Sequence, residues 1–391
     1  MRRRRIAVGV IGLGALAGVA YAAAVPRAAA PVCGGLDAQL DGTWDAARRA
    51  ELDATFSASP LPFAAIAHDA AVRGLDAYAQ AWIAARTAAC EATAVRHEQT
   101  PELLALATAC LDERKAALGV VVRTLAAADR PVLEHATELV RDLPALAPCA
   151  NTAWLRERVR PPTDPATTAA VAESRRLAAE SSAALRAGKL DLARGAADQA
   201  VDLAGGVDHA PTSAAAYLAL GLVQARTADH GGAQPRCARA AQAGQRGHDD
   251  LAAAEAWVEL VNVVGYGAGR HDEALRFADF ADATIARIGD DDRLRATLDV
   301  YRCAVLDQLG RAADAQTRCA AARATRERAY GADDLSVASV LILEARIAVE
   351  QGQRDEATAD ATRALTIREH ALGAAHPALV EALFTAGQVA S

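Results

Sequence analysis

A spaced pattern of small residues recurs five times in the second half of the chain. In four copies an alanine follows five residues after a glycine, and in the remaining copy it follows five residues after another alanine. The five pairs are Gly188 and Ala193, Ala228 and Ala233, Gly269 and Ala274, Gly310 and Ala315, and Gly352 and Ala357. Ala or Cys also stands four and seven positions beyond each later alanine, and successive copies are 40, 41, 41 and 42 residues apart. Such positions share one face of a helix, so each copy predicts a helix that another helix can approach closely. This period is typical of a solenoid of helix pairs that bury their apolar faces only against their neighbours.

The period also holds for residues that are less common than alanine. Four residues recur 42 positions further on, where Arg326, Glu327, Gly331 and Leu341 are matched by Arg368, Glu369, Gly373 and Leu383. Only 4% of the chain is aromatic, whereas 52% is hydrophobic, mostly as Ala, Leu and Val. This composition favours close-packed helices over sheets, and we therefore predict an all-α fold.

The spacing of Gly, Ala and Ala after an apolar helix resembles the tetratricopeptide repeat. Small residues fill the eighth place of the first helix at Gly221, Cys303, Ala345 and Gly387. Residues 325–339 and 366–380 are similar to the long subtype found in kinesin light chains. The resemblance covers residues 166–391 and implies an α-α solenoid of five repeats plus a terminal half-repeat. In this register Ala315→Arg should unfold the repeats, whereas Arg323→Ala on the same helix should be nearly neutral.

The chain begins with a basic segment that is followed by an apolar one. Arginines occupy positions 2 to 5, and residues 6–25 form an uncharged run of 20 residues. As a helix this run can cross roughly 30 Å of hydrocarbon, and the arginines favour a cytoplasmic N-terminus. We predict that residues 1–26 are a transmembrane helix or signal anchor in the inner membrane, with one span and the bulk of the chain extracytoplasmic. The alternative is signal cleavage near Ala22 and Ala24, which gives a periplasmic or secreted protein.

Seven cysteines agree with an oxidising compartment outside the cytoplasm. Cys90 and Cys110 lie ten residues on either side of Thr100, which together with Pro101 indicates the start of a helix. In an antiparallel hairpin centred on Thr100 the two cysteines face each other. A Cys90–Cys110 disulfide is therefore predicted.

Two further pairs are suggested by the remaining cysteines. Cys303 and Cys319 are nearly symmetric about the turn within one repeat, where its two helices touch. Cys33 and Cys149 lie near the two ends of the first folded region, and a disulfide between them would join these ends. This assignment leaves Cys237 over, and we predict that it is a buried small apolar residue.

Residues 33–157 are predicted to be helical but lack the repeat register. The proline-rich stretch 158–167 is predicted to be a stiff extended linker, because proline and the residue before it disfavour helix. We place the domain boundary there, between an α-helical extracytoplasmic domain at 33–157 and the repeats.

Segments on both sides of this boundary resemble the extracytoplasmic part of certain bacterial receptor-type serine/threonine kinases. The resemblance is carried by residues 74–93, 110–118, 143–151 and 254–266. Those proteins consist of a cytoplasmic kinase domain, one membrane span, a helical segment and tetratricopeptide repeats. The resemblance implies the same order here without the kinase domain, since the H-R-D and D-F-G motifs are missing from the sequence.

We predict no catalytic residue, no metal site and no cofactor. The nine histidines lack the spacing of metal ligands, and no G-x-S-x-G motif of a serine hydrolase occurs. The formal net charge is -7, and it becomes -11 when the four arginines at positions 2 to 5 are left out. An acidic body argues against nucleic acid as a partner.

A solenoid of this kind binds partners through its concave side, where side chains are exposed without being needed for packing. The repeat register places five side chains towards that side, namely Arg226, Glu259, Tyr266, Gln308 and Arg346. We predict a non-enzymatic, membrane-anchored protein that binds a protein or peptide partner outside the cytoplasm as a sensor or scaffold in signalling. Two alternatives stay open. The chain is the C-terminal part of a transmembrane serine/threonine kinase whose catalytic domain is encoded upstream, or it is a secreted periplasmic adaptor.

Overall fold

The computed structural model describes residues 32–160, 162–289 and 291–390. Within these ranges the chain has seventeen α-helices, two short 3-10 helices, one π-helical segment and no β-strand, which confirms the all-α prediction for this part of the chain. The segment that is predicted to cross the membrane, residues 6–25, lies outside the described residues. Among the helices that the structure describes, none is both long and apolar enough to span a bilayer.

Six helices precede the repeats. They are α1 (Ala46–Ser57), α2 (Ala64–Ala94), α3 (Pro101–Ala126), α4 (Arg130–Glu134), α5 (Ala136–Arg141) and α6 (Thr152–Glu157). The two longest, α2 and α3, pack against each other. Their contact is fixed by the fully buried Trp82 of α2, whose indole N–H donates a hydrogen bond of 2.7 Å to the carbonyl oxygen of Leu111 in α3.

Eleven helices form a tetratricopeptide-like solenoid. They are α7 (Pro165–Arg186), α8 (Leu190–Gly205), α9 (Ala210–Arg226), α10 (His230–Arg246), α11 (Asp250–Val261), α12 (His271–Arg287), α13 (Asp292–Gln308), α14 (Ala312–Tyr330), α15 (Leu335–Glu350), α16 (Arg354–Leu372) and α17 (Leu379–Ala390). The first helix of each pair is called an A helix (α7, α9, α11, α13, α15) and the second a B helix (α8, α10, α12, α14, α16). The last A helix, α17, has no B helix after it in the described residues.

The small residues of the repeat register form the contacts between paired helices. All fifteen of them, three in each B helix from Ala193 to Ala364, are at most 1% exposed. Because Ala and Cys side chains are short, the backbones of the paired helices can approach closely along this stripe. The structure thus confirms the register that the sequence predicts.

The turn within each helix pair requires a left-handed backbone conformation. Gly188, Gly269, Gly310 and Gly352 have φ angles between 67° and 73° at this place. The second repeat has Ala228 instead, with φ of 58°. A side chain disfavours this conformation, which explains why glycine occupies four of the five positions.

The N-terminal helices pack on the solenoid rather than standing apart from it. Within the predicted linker, Arg158 is held between Asp249 of the solenoid (2.7 Å) and Glu113 of α3 (3.7 Å), and the Val159 amide donates to the carbonyl oxygen of Gly247. One hydrophobic cluster runs from α2 and α3 through to α11, α12 and α13. The two predicted segments therefore share a continuous core.

The disulfides only partly follow the predicted pairing. The Cys303–Cys319 bridge is confirmed, with the two Cα atoms 5.4 Å apart. Cys237 is unpaired and fully buried, as predicted, and burial raises the pKa of its thiol.

The other two predicted pairs are wrong. The structure joins Cys33 to Cys90 and Cys110 to Cys149, with Cα–Cα distances of 5.8 and 5.5 Å. The connection between α2 and α3 runs from residue 95 to residue 100, so the hairpin is centred near residue 97 and not on residue 100. Cys90 and Cys110 are therefore offset by about five residues along the helices, or about 7 Å at a rise of about 1.5 Å per residue.

Candidate functional site

The A helices lie on the inner side of the curved solenoid. Each A helix packs against the next A helix, whereas consecutive B helices in the described residues have far less contact. In a curved array the inner elements are closer together, so the A helices line a concave surface. This surface, formed by α7, α9, α11, α13, α15 and α17, is called the trough.

Four of the five predicted partner-binding residues are exposed on the A helices or on their extensions. Arg226 and Gln308 lie at the C-terminal ends of α9 and α13, Arg346 lies within α15, and Tyr266 is 68% exposed just beyond α11. Glu259 differs from the expectation, because only 8% of it is exposed. Their role in binding stays a prediction.

Glu259 is contacted by one side chain that follows it on the same helix and by one from the next A helix. Its carboxylate accepts a hydrogen bond of 2.8 Å from the Asn262 side-chain amide and a long one of 3.5 Å from the Tyr301 hydroxyl. Burial raises the pKa of Glu259 to about 7, against the opposing effects of these hydrogen bonds and of the Arg226 charge. The charge of Glu259, together with burial, in turn raises the pKa of Tyr301.

Sequence reasoning missed both hydrogen-bond partners of Glu259. Asn262 is three residues further on, at the usual distance for two side chains on one helix face. Tyr301 is 42 residues further on, close to one repeat length, so it belongs to the adjacent A helix. Both spacings were available as signals in the sequence.

The helix backbone changes three residues after Glu259. A π-helix, Asn262–Gly267, continues α11, and the amide of Ala268 donates to the carbonyl oxygen of Val263, five residues earlier. Gly265 lies in this segment at a crowded place. A Cβ atom there would lie 2.5 Å from Cγ2 of Val305, so a glycine is needed for the close approach of the two helices. Short π-helical turns within α-helices occur frequently at functional sites.

The second half of the trough also carries both signs of charge. Burial and the nearby Glu350 raise the pKa of Asp307 in α13, while the positive charge of Arg346 opposes them. The charge of Arg346 therefore acts on Asp307, which is next to the predicted Gln308 in sequence. Asp307 itself was not predicted as a trough residue.

A surface cavity of about 560 Å³ lies where α5 meets the last A helix. Its lining residues are Glu138, Arg368, Pro377, Ala378, Val380, Glu381 and Phe384. Arg368 donates to the carbonyl oxygen of Ala378 at 2.6 Å and to the Glu381 carboxylate at 2.9 Å. Val380 and Phe384 are 67% and 65% exposed, so the cavity has an apolar rim. The repeat register does not predict this cavity.

Comparison with known proteins gives matches in structure but none in sequence. No model of a known protein family matches the chain, and no curated protein matches it in sequence. Among solved structures, the chain is similar to a Rap protein crystallised in complex with competence and sporulation factor. The two share 11% sequence identity with a TM-score of 0.49, over 83% of this chain and 88% of the other. A likeness at this level supports no conclusion about function, and the fold is evident from the helix pairs themselves.

Proposed function

We propose that this chain is a non-enzymatic binding protein whose trough receives an extended peptide or a helix of a protein partner. The observation that carries the proposal is the exposure of Arg226, Tyr266, Gln308 and Arg346 along the A helices. Helix packing in the solenoid uses the buried small residues instead, so the exposed side chains are free to contact a partner.

The proposed location is the outer side of the inner membrane, with residues 6–25 as the anchor. Three disulfides support an oxidising compartment, because structural disulfides are rare in the cytoplasm. In this setting the chain would act as a sensor or scaffold in signalling. The alternative is a periplasmic adaptor that is released by signal cleavage. Mass spectrometry of the mature N-terminus distinguishes the two forms.

A relationship to receptor-type serine/threonine kinases is a second proposal. It is supported by the resemblance of residues 74–93, 110–118, 143–151 and 254–266. An open reading frame that continues upstream of Met1 and encodes H-R-D and D-F-G motifs would favour it. A stop codon close to Met1 would exclude it.

The binding proposal is tested with a random peptide display library against the full chain purified in detergent. We expect selected peptides to bind in the trough, so the double variant Tyr266→Ala/Arg346→Ala should lose binding. The matched control is Leu192→Ala/Arg354→Ala on B helices, where Leu192 is 65% exposed and Arg354 is also exposed. Failure to select any peptide, or equal binding by both double variants, would refute the proposal.

A further inference from the structure

One buried acidic residue differs from the others in this chain. The acidic residues that are buried in the described structure are Asp249, Asp250, Glu259 and Asp299. Three of them form ion pairs, which join Asp249 to Arg158, Asp250 to Arg287 and Asp299 to Arg318. In residues 32–160, 162–289 and 291–390, no Lys, Arg or His nitrogen lies within 4.0 Å of the Glu259 carboxylate. Glu259 is thus a buried carboxylate that lacks the cation its counterparts have.

The groups around Glu259 compensate its charge only in part. Asn262 donates one hydrogen bond of normal length, and the Tyr301 hydroxyl is 3.5 Å away. Arg226 is the positive charge that acts on Glu259, and it has the smallest effect on the Glu259 pKa. The thiol of Cys237 is buried and contributes no positive charge. Burying a carboxylate without a paired cation is unfavourable, which a cation from outside the chain would relieve.

The position of Glu259 suits an incoming cation. The residue lies on an A helix that lines the trough, three residues before the start of the π-helical turn. Tyr301 covers it from the next A helix, and the exposed Tyr266 follows about two turns later on the same element. Aromatic faces attract ammonium and guanidinium groups, so the exposed Tyr266 is suited to contact a cationic ligand in the trough. Only 8% of Glu259 is exposed, so a ligand can contact it through a small part of its surface.

We propose that Glu259 recognises one cationic group of the peptide bound in the trough, either an Arg or Lys side chain or a free amino terminus. The inference rests on the proposed function, and it specifies the chemistry of the ligand. The bound cation completes the missing ion pair. Arg226 at the end of α9 disfavours a second cation nearby, so the site takes one positive group.

The test uses peptides that the wild-type chain selects from the random library. Each peptide is resynthesised with Arg replaced by citrulline, with Lys acetylated, or with its amino terminus acetylated. We expect one of these neutralisations to weaken binding about tenfold in the wild type, as for loss of a charge-assisted hydrogen bond. The same neutralisation should change binding less than about twofold in Glu259→Gln. Glu356→Gln, at an acid exposed on the B helix α16 outside the trough, is the matched control and should keep the tenfold difference.

A second measurement needs no variant. The apparent pKa of Glu259, followed by carbon NMR of the wild-type carboxyl groups, should fall when the selected peptide binds and should stay unchanged with its neutralised form. Peptides that bind without any effect of neutralisation, or an equal effect in Glu259→Gln and wild type, would overturn the inference while leaving trough binding intact. Selection of no peptide at all would instead overturn the binding proposal on which the inference rests.

Discussion

The partly buried carboxylate of Glu344 in α15 provides a quantitative test of how charges are placed between repeats. Its side chain is 11% exposed and pairs with Arg323 of α14 at 3.2 Å, while Arg323 also lies 3.9 Å from Asp360 of α16. Burial raises the pKa of Glu344 to about 7, although the charge of Arg323 lowers it. We expect Glu344→Gln to stabilise the chain at alkaline pH, because the amide has the shape of the protonated acid but does not ionise.

The magnitude follows from proton linkage. The ordinary pKa of this carboxyl is 4.5 and the folded value is about 7. The folded state therefore holds the proton more tightly, so the free energy of unfolding falls as the pH rises from the lower value to the higher one. A shift of this size corresponds to about 3 kcal/mol at full ionisation, since each pH unit is worth about 1.4 kcal/mol. Glu344→Gln should gain roughly 2–3 kcal/mol at pH 8 and almost nothing at pH 4.

The assay is urea denaturation followed by far-UV circular dichroism, with the wild type and the variant compared at each pH between about 4 and 8. Other titrating groups are common to both proteins, so the difference between the curves isolates Glu344. Glu369→Gln is the matched control, because Glu369 is exposed on α16. Stability curves of wild type and Glu344→Gln that stay parallel across this range would refute the reasoning.

Three further changes test other parts of the structure. The sequence register alone predicts that Arg323→Ala is nearly neutral. The ion pair with Glu344 instead predicts that this change lowers the free energy of unfolding by about 1 kcal/mol at pH 8 but not at pH 4, because Glu344 is protonated at pH 4. Ala228→Gly should raise the melting temperature by relieving about 1 kcal/mol of backbone strain, and Gly269→Ala should lower it; no change in either would contradict the turn argument. Replacing both Cys303 and Cys319 by serine should lower the free energy of unfolding by about 3 kcal/mol in urea titrations. This difference should disappear when the variant is compared with wild type whose disulfides have been reduced.

The sequence by itself determined the repeating part of this protein. The burial of Ala193 and its counterparts, the glycine turns and the Cys303–Cys319 bridge all follow from spacings within one repeat. These features are local, because helix geometry converts a fixed number of residues into a fixed position on a helix face. A period of this kind therefore fixes which side chains meet within a helix pair.

The tertiary structure alone decided how distant segments meet. The partners of Cys90 and Cys110 depend on where the α2–α3 connection is centred and on which segments return to it. The burial of Glu259 depends on Tyr301 from the next repeat, and the anchoring of Arg158 depends on Asp249 far along the chain. The periodicity of the sequence predicts which face of a helix is apolar, but it does not predict which other element packs against that face. That choice is made by packing among all the helices at once.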